Sequence, residues 1–241
     1  MDVFEQMDKL LSGGGRMRPV RVNNNTRHHN DKSDPRAVTR AQVERVHTLL
    51  DNVHIDIKRK FQFDAEASWS ITNLRIAREF AVTLAGFTGD NVTLTDAMAC
   101  VGGNTIAFAE VYKHVNAIEL NGPRSRMLSA NLKLFALTNV SVYNGDARAY
   151  IPQLTQDVIF FDPPWGTDYK KHPHGTMKIW LGDELFDDIA AASCKYAKFI
   201  AIKLPVNYAV EDLVATMLPA TEIHRETHSK PNTSLVIVFK V

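Results

Sequence analysis

The chain has 241 residues, 45% of them hydrophobic and 23% charged, which is typical of one globular α/β domain with a short extension. Its 28 lysines and arginines nearly balance 27 aspartates and glutamates, so net charge does not indicate a nucleic-acid partner and any basic surface must be local. No apolar stretch approaches the roughly 20 residues that span a bilayer, and the acidic N-terminus lacks a signal-peptide pattern, which excludes membrane and secreted classes and predicts an intracellular protein of the nucleus or cytoplasm.

The N-terminal third contains few strand patterns. Residues 1–35 are rich in Gly, Asn, His and Arg, which predicts a flexible basic tail. Asp34 followed by Pro35 is a typical helix start and, with the apolar spacing that follows, predicts a helix over residues 36–54. A second helix is expected from Ser70 or Thr72 to Gly86. Residues 36–90 are therefore predicted to form a small N-terminal helical extension to a core of residues 91–241.

The core alternates strand and helix patterns. Strands are predicted over residues 92–98, 115–120, 140–143, 158–161 and 199–204, with helices over 105–112, 124–137, 147–154, 183–197 and 209–218. Two last apolar runs, 222–228 and 235–241, flank a turn-like segment at 229–233. The pattern predicts an α/β fold of the Rossmann-like kind, with a mostly parallel sheet and a C-terminal antiparallel hairpin.

A glycine pair follows the first core strand. Gly102 and Gly103 come shortly after Asp96, where the chain turns into the next helix. Glycines at such a turn let a ligand approach the backbone, and the helix N-terminus has free amide donors. This indicates a nucleotide-like ligand, although a tight turn without a ligand would use the same two glycines.

Acidic residues stand at the ends of the next two strands. Glu119 can accept hydrogen bonds from the two ribose hydroxyls of an adenosine, and Asp146, between Gly145 and Ala147, can reach the adenine amino group. Each carboxylate taken alone could equally be a solvated charge at a strand end. With Asp96 and the glycine pair, they favour an adenosine site at this edge of the sheet.

The fourth strand ends in Asp162-Pro163-Pro164-Trp165. Two prolines cannot extend a central strand, so the chain must leave the sheet there and present Asp162, the Pro163 carbonyl and the Trp165 ring beside the adenosine site. Acceptors on the hydrogens of an exocyclic base amine favour its reactive form, and an indole can stack on the base. The motif therefore indicates methyl transfer to a base amine; the alternative is a strand-ending turn with a buried tryptophan.

Several segments together carry a family resemblance. They are residues 96–109, 69–72 (Trp-Ser-Ile-Thr), 117–119, Asn131, 163–166 with Asp168 and Tyr169, and 204–205 with Asn207. In these segments the chain resembles the trimethylguanosine synthase family, the RNA cap guanine-N2 methyltransferases. The resemblance implies a class I methyltransferase fold and transfer of methyl from S-adenosylmethionine to the 2-amino group of 7-methylguanosine, giving a di- or trimethylguanosine cap.

The resemblance also implies roles for residues. The expected catalytic residues are Asp162, Pro163 and Trp165. Trp165 would stack on the cationic 7-methylguanine. The expected cofactor residues are Asp96, Ala97, Gly102, Asn104, Thr105, Glu119, Asp146, Ala147 and Asp162. The expected substrate residues are Trp165, Trp69, Asn207, Tyr169, Lys170 and Lys171.

Other substrates remain open because the family usually has serine where Asp162 stands. Aspartate is similar to amino methyltransferases that act on adenine or on ribosomal RNA guanine, and these are alternative activities. A non-catalytic cap-binding accessory module is an alternative of another class. A nicotinamide-dependent dehydrogenase is disfavoured because the spaced three-glycine fingerprint is missing.

The remaining predictions concern partners. Lys170, Lys171, His172, His174 and Lys178 follow the Pro-Pro-Trp motif in a predicted loop that suits cap phosphates, although a solvated charged loop is the alternative. The two cysteines and nine histidines lack ligand spacing, so no metal is expected. We expect a monomer that binds capped RNA and no membrane.

Overall fold

The computed structural model describes residues 20–23, 38–167, 169–228 and 234–241. Its elements in chain order are β1 Val20–Asn23, α1 Arg40–Leu49, α2 Ile55–Lys60, α3 Ala67–Ser70, α4 Leu74–Thr88, β2 Thr93–Asp96, α5 Gly103–Ala109, β3 His114–Glu119, α6 Gly122–Leu134, β4 Val140–Asn144, α7 Ala147–Tyr150, β5 Val158–Phe161, β6 Met177–Leu181, β7 Glu184–Leu185, α8 Phe186–Ser193, β8 Phe199–Pro205, α9 Val210–Thr216, β9 Thr221–His228 and β10 Ser234–Lys240. Short 3-10 turns lie at Ile151–Gln153, Tyr169–Lys171 and Cys194–Tyr196.

The main sheet has seven strands in the order β4-β3-β2-β5-β8-β10-β9. The first five are parallel to one another, and β10 is antiparallel to both β8 and β9. The predicted mostly parallel Rossmann-like sheet with an antiparallel C-terminal hairpin is therefore confirmed. The predicted turn at 229–233 lies outside the described residues.

The N-terminal helices differ from the prediction in their ends. The helix predicted over 36–54 is shorter than expected. The helix α1 begins only at Arg40, where Thr39 and Gln42 form a reciprocal capping box, and it ends at Leu49; the separate helix α2 follows. Asp34 and Pro35 lie outside the described residues. The helix α4 continues past Gly86 and ends before Gly89, so the left-handed cap expected at Gly86 was wrong. Gly89 has a positive φ of 77° with a ψ of 162°, which glycine adopts readily because it lacks a Cβ.

A second, three-stranded sheet was not predicted. It has the order β1-β6-β7, with β1 parallel to β6 and β6 antiparallel to β7. Val20–Asn23 thus form a strand rather than part of a flexible tail; the other tail residues lie outside the described part of the chain. The predicted helix over 183–197 begins only at Phe186, because β7 precedes it, and Cys194–Tyr196 is a 3-10 turn.

The N-terminal helices pack on one face of the sheet. Phe80 of α4 lies against Phe108 of α5 and Phe160 of β5, with ring centroids 6.0 and 5.5 Å apart. All three side chains are buried, and the same apolar cluster includes Val46 of α1 and Phe61. This shared core holds the chain that precedes β2 against the strand ends.

Candidate active site

Charged side chains collect at the carboxyl ends of the parallel strands. Asp96 and Glu119 are the last residues of β2 and β3, and Asp162 follows the last residue of β5. The chain turns from the β3 and β4 side of β2 to the β5 and β8 side, so the strand order reverses beside β2. Such a switch point opens a crevice where ligands bind in open α/β sheets.

The glycine pair makes two close approaches. Gly102 has a φ of 106°, and a Cβ placed on it would lie 3.0 Å from Cδ1 of the buried Leu128. A Cβ on Gly103 would lie 3.2 Å from the backbone nitrogen of Thr72. Both glycines are therefore required by the packing of the loop itself, and they bring the Thr72 backbone against the start of α5.

Asp96 is a fully buried carboxyl group. Thr105 donates its hydroxyl to Asp96 Oδ2 at 2.7 Å, whereas Oδ1 is buried with no hydrogen-bond partner among the described residues. Burial raises the pKa of Asp96 to about 7, opposed by the Thr105 hydrogen bond. A buried acceptor without a partner can receive a donor from a ligand.

Glu119 already accepts two backbone hydrogen bonds. Oε2 accepts from Cys100 N at 2.9 Å, and Oε1 accepts from Asn121 N at 2.7 Å. Burial raises the pKa of Glu119, while these backbone donors and Arg124 oppose the shift. Each oxygen keeps a second lone pair that a ligand hydroxyl could use.

Asp146 is engaged by a neighbouring cation. It caps α7 by accepting from Arg148 N at 2.8 Å, and its carboxylate pairs with the Arg148 guanidinium, which also contacts Glu184 at 2.7 Å. Hydrogen bonding from Arg148 lowers the pKa of Asp146. Ala97 and Ala147, the small residues beside the strand ends, are buried.

Asp162 lies in a cluster that the sequence did not predict. Its Oδ2 accepts from Lys203 Nζ at 2.8 Å, from Asn104 Nδ2 at 3.0 Å and from Thr72 Oγ1 at 3.5 Å. Lys203 also donates to Thr72 Oγ1 at 2.9 Å. The Lys203 and Asp162 side chains are only 14% and 13% exposed. The signal for Lys203 was a single charged residue within the otherwise apolar strand β8.

Trp165 lies beside this cluster. Lys203 Nζ is 5.3 Å from the centroid of its ring, and the ring meets Tyr169 edge to face at 5.3 Å. The indole Nε1 is buried with no hydrogen-bond partner in the described part of the chain. Pro163 is buried, so the Pro-Pro-Trp segment leaves the sheet as expected and keeps the ring within reach of Asp162.

Asn207 holds the segment after Trp165. Its Nδ2 donates to the backbone oxygens of Tyr169 at 2.6 Å and His172 at 3.0 Å, while Oδ1 is buried without a partner among the described residues. Lys170 and Lys171 of this segment are exposed, and Lys170 Nζ lies 5.6 Å from the Tyr169 ring centroid. Asp168 lies outside the described residues.

Two predicted substrate groups are placed differently from the rest. Trp69 is 66% exposed and lies against Arg45, whose Cζ is 4.9 Å from the ring centroid. Thr72, three positions later in the chain, contacts Asp162. Lys178 was expected in the phosphate loop, which was wrong. It lies in β6, buried, where it pairs with Asp187.

The family model for RNA cap guanine-N2 methyltransferases matches residues 91–234, more than half of the chain. The chain belongs to this family. The resemblance drawn from the motifs is thereby confirmed, and the residues at the strand ends, from Asp96 to Lys203, fall within the matched range.

The chain is also similar to individual proteins. The chain is 36% identical over 124 residues to an uncharacterised protein of Acanthamoeba polyphaga mimivirus, a match covering 48% of this chain and about half of that relative (47%). It is 25% identical over 175 residues to the trimethylguanosine synthase of Schizosaccharomyces pombe, covering 70% and 69% of the two chains. It is similar in fold to a proposed S-adenosylmethionine-dependent methyltransferase of Streptococcus mutans, with TM-score 0.53 and 13% identity over 68% of this chain and 48% of that one.

Residues 20–23, 38–167, 169–228 and 234–241 contain no group of three or more His, Cys, Asp or Glu side chains that could hold a metal ion. None of the helices in these ranges is long and apolar enough to cross a membrane.

Proposed function

We propose that this protein transfers the methyl group of S-adenosylmethionine to the exocyclic 2-amino group of 7-methylguanosine in an RNA cap, giving a di- or trimethylguanosine cap. The observation that carries the proposal is the Asp162 carboxylate and the Trp165 ring held together by Lys203, at the sheet edge where Asp96 keeps a buried acceptor without a partner. Membership of the RNA cap guanine-N2 methyltransferase family supports the choice of base.

The residues at the ends of β2 and β3 fit the cofactor. Asp96 Oδ1 would accept from the ammonium group of the methionine part, and Glu119 would accept from the ribose hydroxyls. Asp146 would reach the adenine amino group while it keeps its Arg148 pair. Bound there, S-adenosylmethionine supplies an electrophilic methyl group on a sulfonium. The other residues that we place around it are Ala97, Gly102, Asn104, Thr105, Ala147 and Asp162.

The residues after β5 fit the base. The lone pair of an exocyclic amine is delocalised into the ring, so the chain must orient the amine rather than activate a strong nucleophile. Trp165 would stack on the base, and Asp162 and the Pro163 carbonyl would accept the amine hydrogens. The three hydrogen bonds to Asp162 all reach Oδ2, so Oδ1 is the oxygen that we assign to the amine.

The segment after Trp165 would face the rest of the cap. Tyr169 contacts the Trp165 ring, and Asn207 fixes the backbone of this segment. The exposed Lys170 and Lys171 would contact the cap phosphates, which makes binding dependent on salt. Trp69 would contact the RNA at the mouth of the site.

The direct test is mass spectrometry of three substrates incubated with protein and S-adenosylmethionine: 7-methylguanosine diphosphate, guanosine diphosphate and an adenine-containing RNA. We expect a gain of one or two methyl groups on the first substrate only. Transfer only to unmethylated guanine or only to adenine would contradict the cap assignment. It would support the alternative that Asp162 suggests, an amino methyltransferase acting on ribosomal RNA guanine or on adenine. Binding of cap and cofactor without any transfer would indicate the accessory module.

Trp165→Ala tests the stacking role. Loss of the indole should lower methylation of 7-methylguanosine diphosphate by about a hundredfold, a stacking loss of about 1–3 kcal/mol plus lost orientation. S-adenosylhomocysteine affinity, measured by calorimetry, should stay near that of the unmodified chain. Trp165→Phe keeps an aromatic face and should retain part of the activity. Unchanged turnover of Trp165→Ala would contradict the assignment.

A further inference from the structure

The Asp162–Lys203 ion pair lies between the proposed amine acceptor and the proposed stacking ring. Lys203 Nζ is 2.8 Å from Asp162 Oδ2 and 5.3 Å from the Trp165 ring centroid. Thr72 and Asn104 donate to the same carboxylate oxygen, and the Trp165 ring lies beside the ammonium, so both charges are held in place. Any base that stacks on Trp165 therefore lies within the field of both charges.

The composition of this pair needs an explanation. A neutral side chain at position 162 would leave the Lys203 ammonium largely buried and without its counterion. The Coulomb field of an unpaired ammonium would disfavour a second cation nearby, because interactions between charges are strong where water is excluded. Asp162 cancels that field.

We propose that Asp162 and Lys203 offset each other's charge beside the base, so that any imbalance between the two charges changes how strongly a cationic 7-methylguanine is favoured over neutral guanine. This inference rests on the proposed function, because it requires a base stacked on Trp165. In the intact chain the pair presents nearly zero net charge to the base, and the preference for the cation comes from the indole face.

The two halves of the pair have opposite expected effects. Removing Lys203 leaves the carboxylate alone, which attracts a cationic base and hardly affects a neutral one. Removing Asp162 leaves the ammonium alone, which repels the cationic base. The ratio of the two affinities should therefore move in opposite directions, and removing both charges should bring it back close to its starting value.

The experiment measures dissociation constants of 7-methylguanosine diphosphate and guanosine diphosphate by calorimetry, with S-adenosylhomocysteine present and below the pKa of N1 of 7-methylguanine. The proteins are the unmodified chain, Lys203→Met, Asp162→Ser and the double variant. We expect the preference for the methylated ligand to rise about tenfold in Lys203→Met and to fall about tenfold in Asp162→Ser. The double variant should lie within about threefold of the unmodified chain.

Two controls separate charge from folding. Lys203→Arg keeps the cation and should keep the ratio. Lys198→Met breaks an ion pair of the same length, 2.8 Å to Asp157, but Lys198 is 74% exposed and lies before the opposite end of β8, so the ratio should not change. Because both ligands are measured on one preparation, a loss of folded protein cancels in the ratio.

The outcomes distinguish this inference from the function on which it rests. Equal ratios in all four proteins, with the unmodified chain still methylating the cap analogue, would overturn the inference alone. A shift in the same direction in both single variants would also overturn it. An unmodified chain that binds neither ligand overturns the proposed function and this inference together.

Discussion

Asp96 is a carboxyl group that burial keeps from ionising at its ordinary pH. Its pKa is raised from 3.8 to about 7, with loss of solvation as the main cause. Between these two values the native chain holds a proton at Asp96 that the unfolded chain has lost. The free energy of unfolding must therefore fall as pH rises through this window, and the contribution of Asp96 is fully lost only above the folded pKa.

Asp96→Asn should remove this pH dependence. The amide oxygen can still accept from Thr105, but the side chain no longer ionises. We expect the melting temperature of the unmodified chain, measured without cofactor, to fall relative to that of Asp96→Asn between about pH 5 and about pH 7, by roughly 2–4 °C for each kcal/mol. Asp188→Asn, at an exposed position in α8, is the control: it keeps Asp96, so its melting temperature should follow that of the unmodified chain across the same pH range. If the melting temperatures of Asp96→Asn and of the unmodified chain change with pH in parallel, Asp96 is not protonated in the native chain over this range.

Sequence reasoning predicted that the acidic residues of the candidate site lie together at one edge of the sheet, but it did not predict their partners. Asp96, Glu119 and Asp162 were predictable because they end apolar strands, and strand ends meet at one edge. The contacts of Lys203 with Asp162 and Trp165 were not, because they join side chains from strands far apart in the chain. The Arg148 pair of Asp146 was also missed, although the two residues are close in sequence.

The turn into α5 is the element on which the site is built, and Gly102 is its most constrained position. An alanine there would have to adopt a left-handed conformation, and its Cβ would lie only 3.0 Å from Cδ1 of Leu128, which is fully buried and would have to shift. Gly89, after α4, also has a positive φ, 77° with a ψ of 162°, but open space around it. An alanine at Gly89 would therefore be strained without being crowded, whereas one at Gly102 would be both.

Gly102→Ala should therefore destabilise the chain more than Gly89→Ala. Backbone strain costs about 1–3 kcal/mol at either position, and crowding against Leu128 adds about 1–3 kcal/mol at Gly102 alone. Urea unfolding of the two variants beside the unmodified chain measures the difference. Equal losses would show that the loop relaxes around the added methyl group.

Element types were easier to predict than element ends. The strand Val158–Phe161 was predicted correctly from an unbroken apolar run that ends at Asp162 and two prolines. The predicted start of α1 was wrong because Asp34-Pro35 is a competing helix-start signal. The capping box that precedes the observed start, Thr39 with Gln42, is also present in the sequence. Strand β6 was missed because Lys178 interrupts its apolar pattern. The burial of Lys178 depends on its ion pair with Asp187, which the sequence does not indicate.

At the scale of the whole molecule, the buried Lys178 connects the small sheet to the helices of the core. Its ammonium pairs with Asp187 of α8 and lies 3.2 Å from Asp212 of α9. Tyr208 donates its hydroxyl to the same Asp187, and burial raises the pKa of this phenol. Tyr208 follows Asn207, so the cluster also supports the residue that holds the segment after Trp165.

Lys178→Met should be strongly destabilising for this reason. Removing one partner of a buried pair leaves an uncompensated charge and costs about 3–5 kcal/mol. Lys198→Met breaks a pair of which Lys198 is mostly exposed, so its loss should stay below about 1 kcal/mol. Chemical denaturation of both variants is the measurement. A loss at Lys178 as small as that at Lys198 would mean that water reaches the cluster.

Asn131 of α6, finally, bears on how such a chain can be inherited. Its fully buried amide accepts from Gln62 N and donates to the carbonyls of Gln62 and Val101, joining the stretch before the matched family core to the loop that contains Gly102. Thr72, from the same stretch, contacts Asp162. Because this stretch contacts both Asp162 and the loop that contains Gly102, replacing it by the corresponding stretch of a relative should disturb both contacts unless the core changes with it.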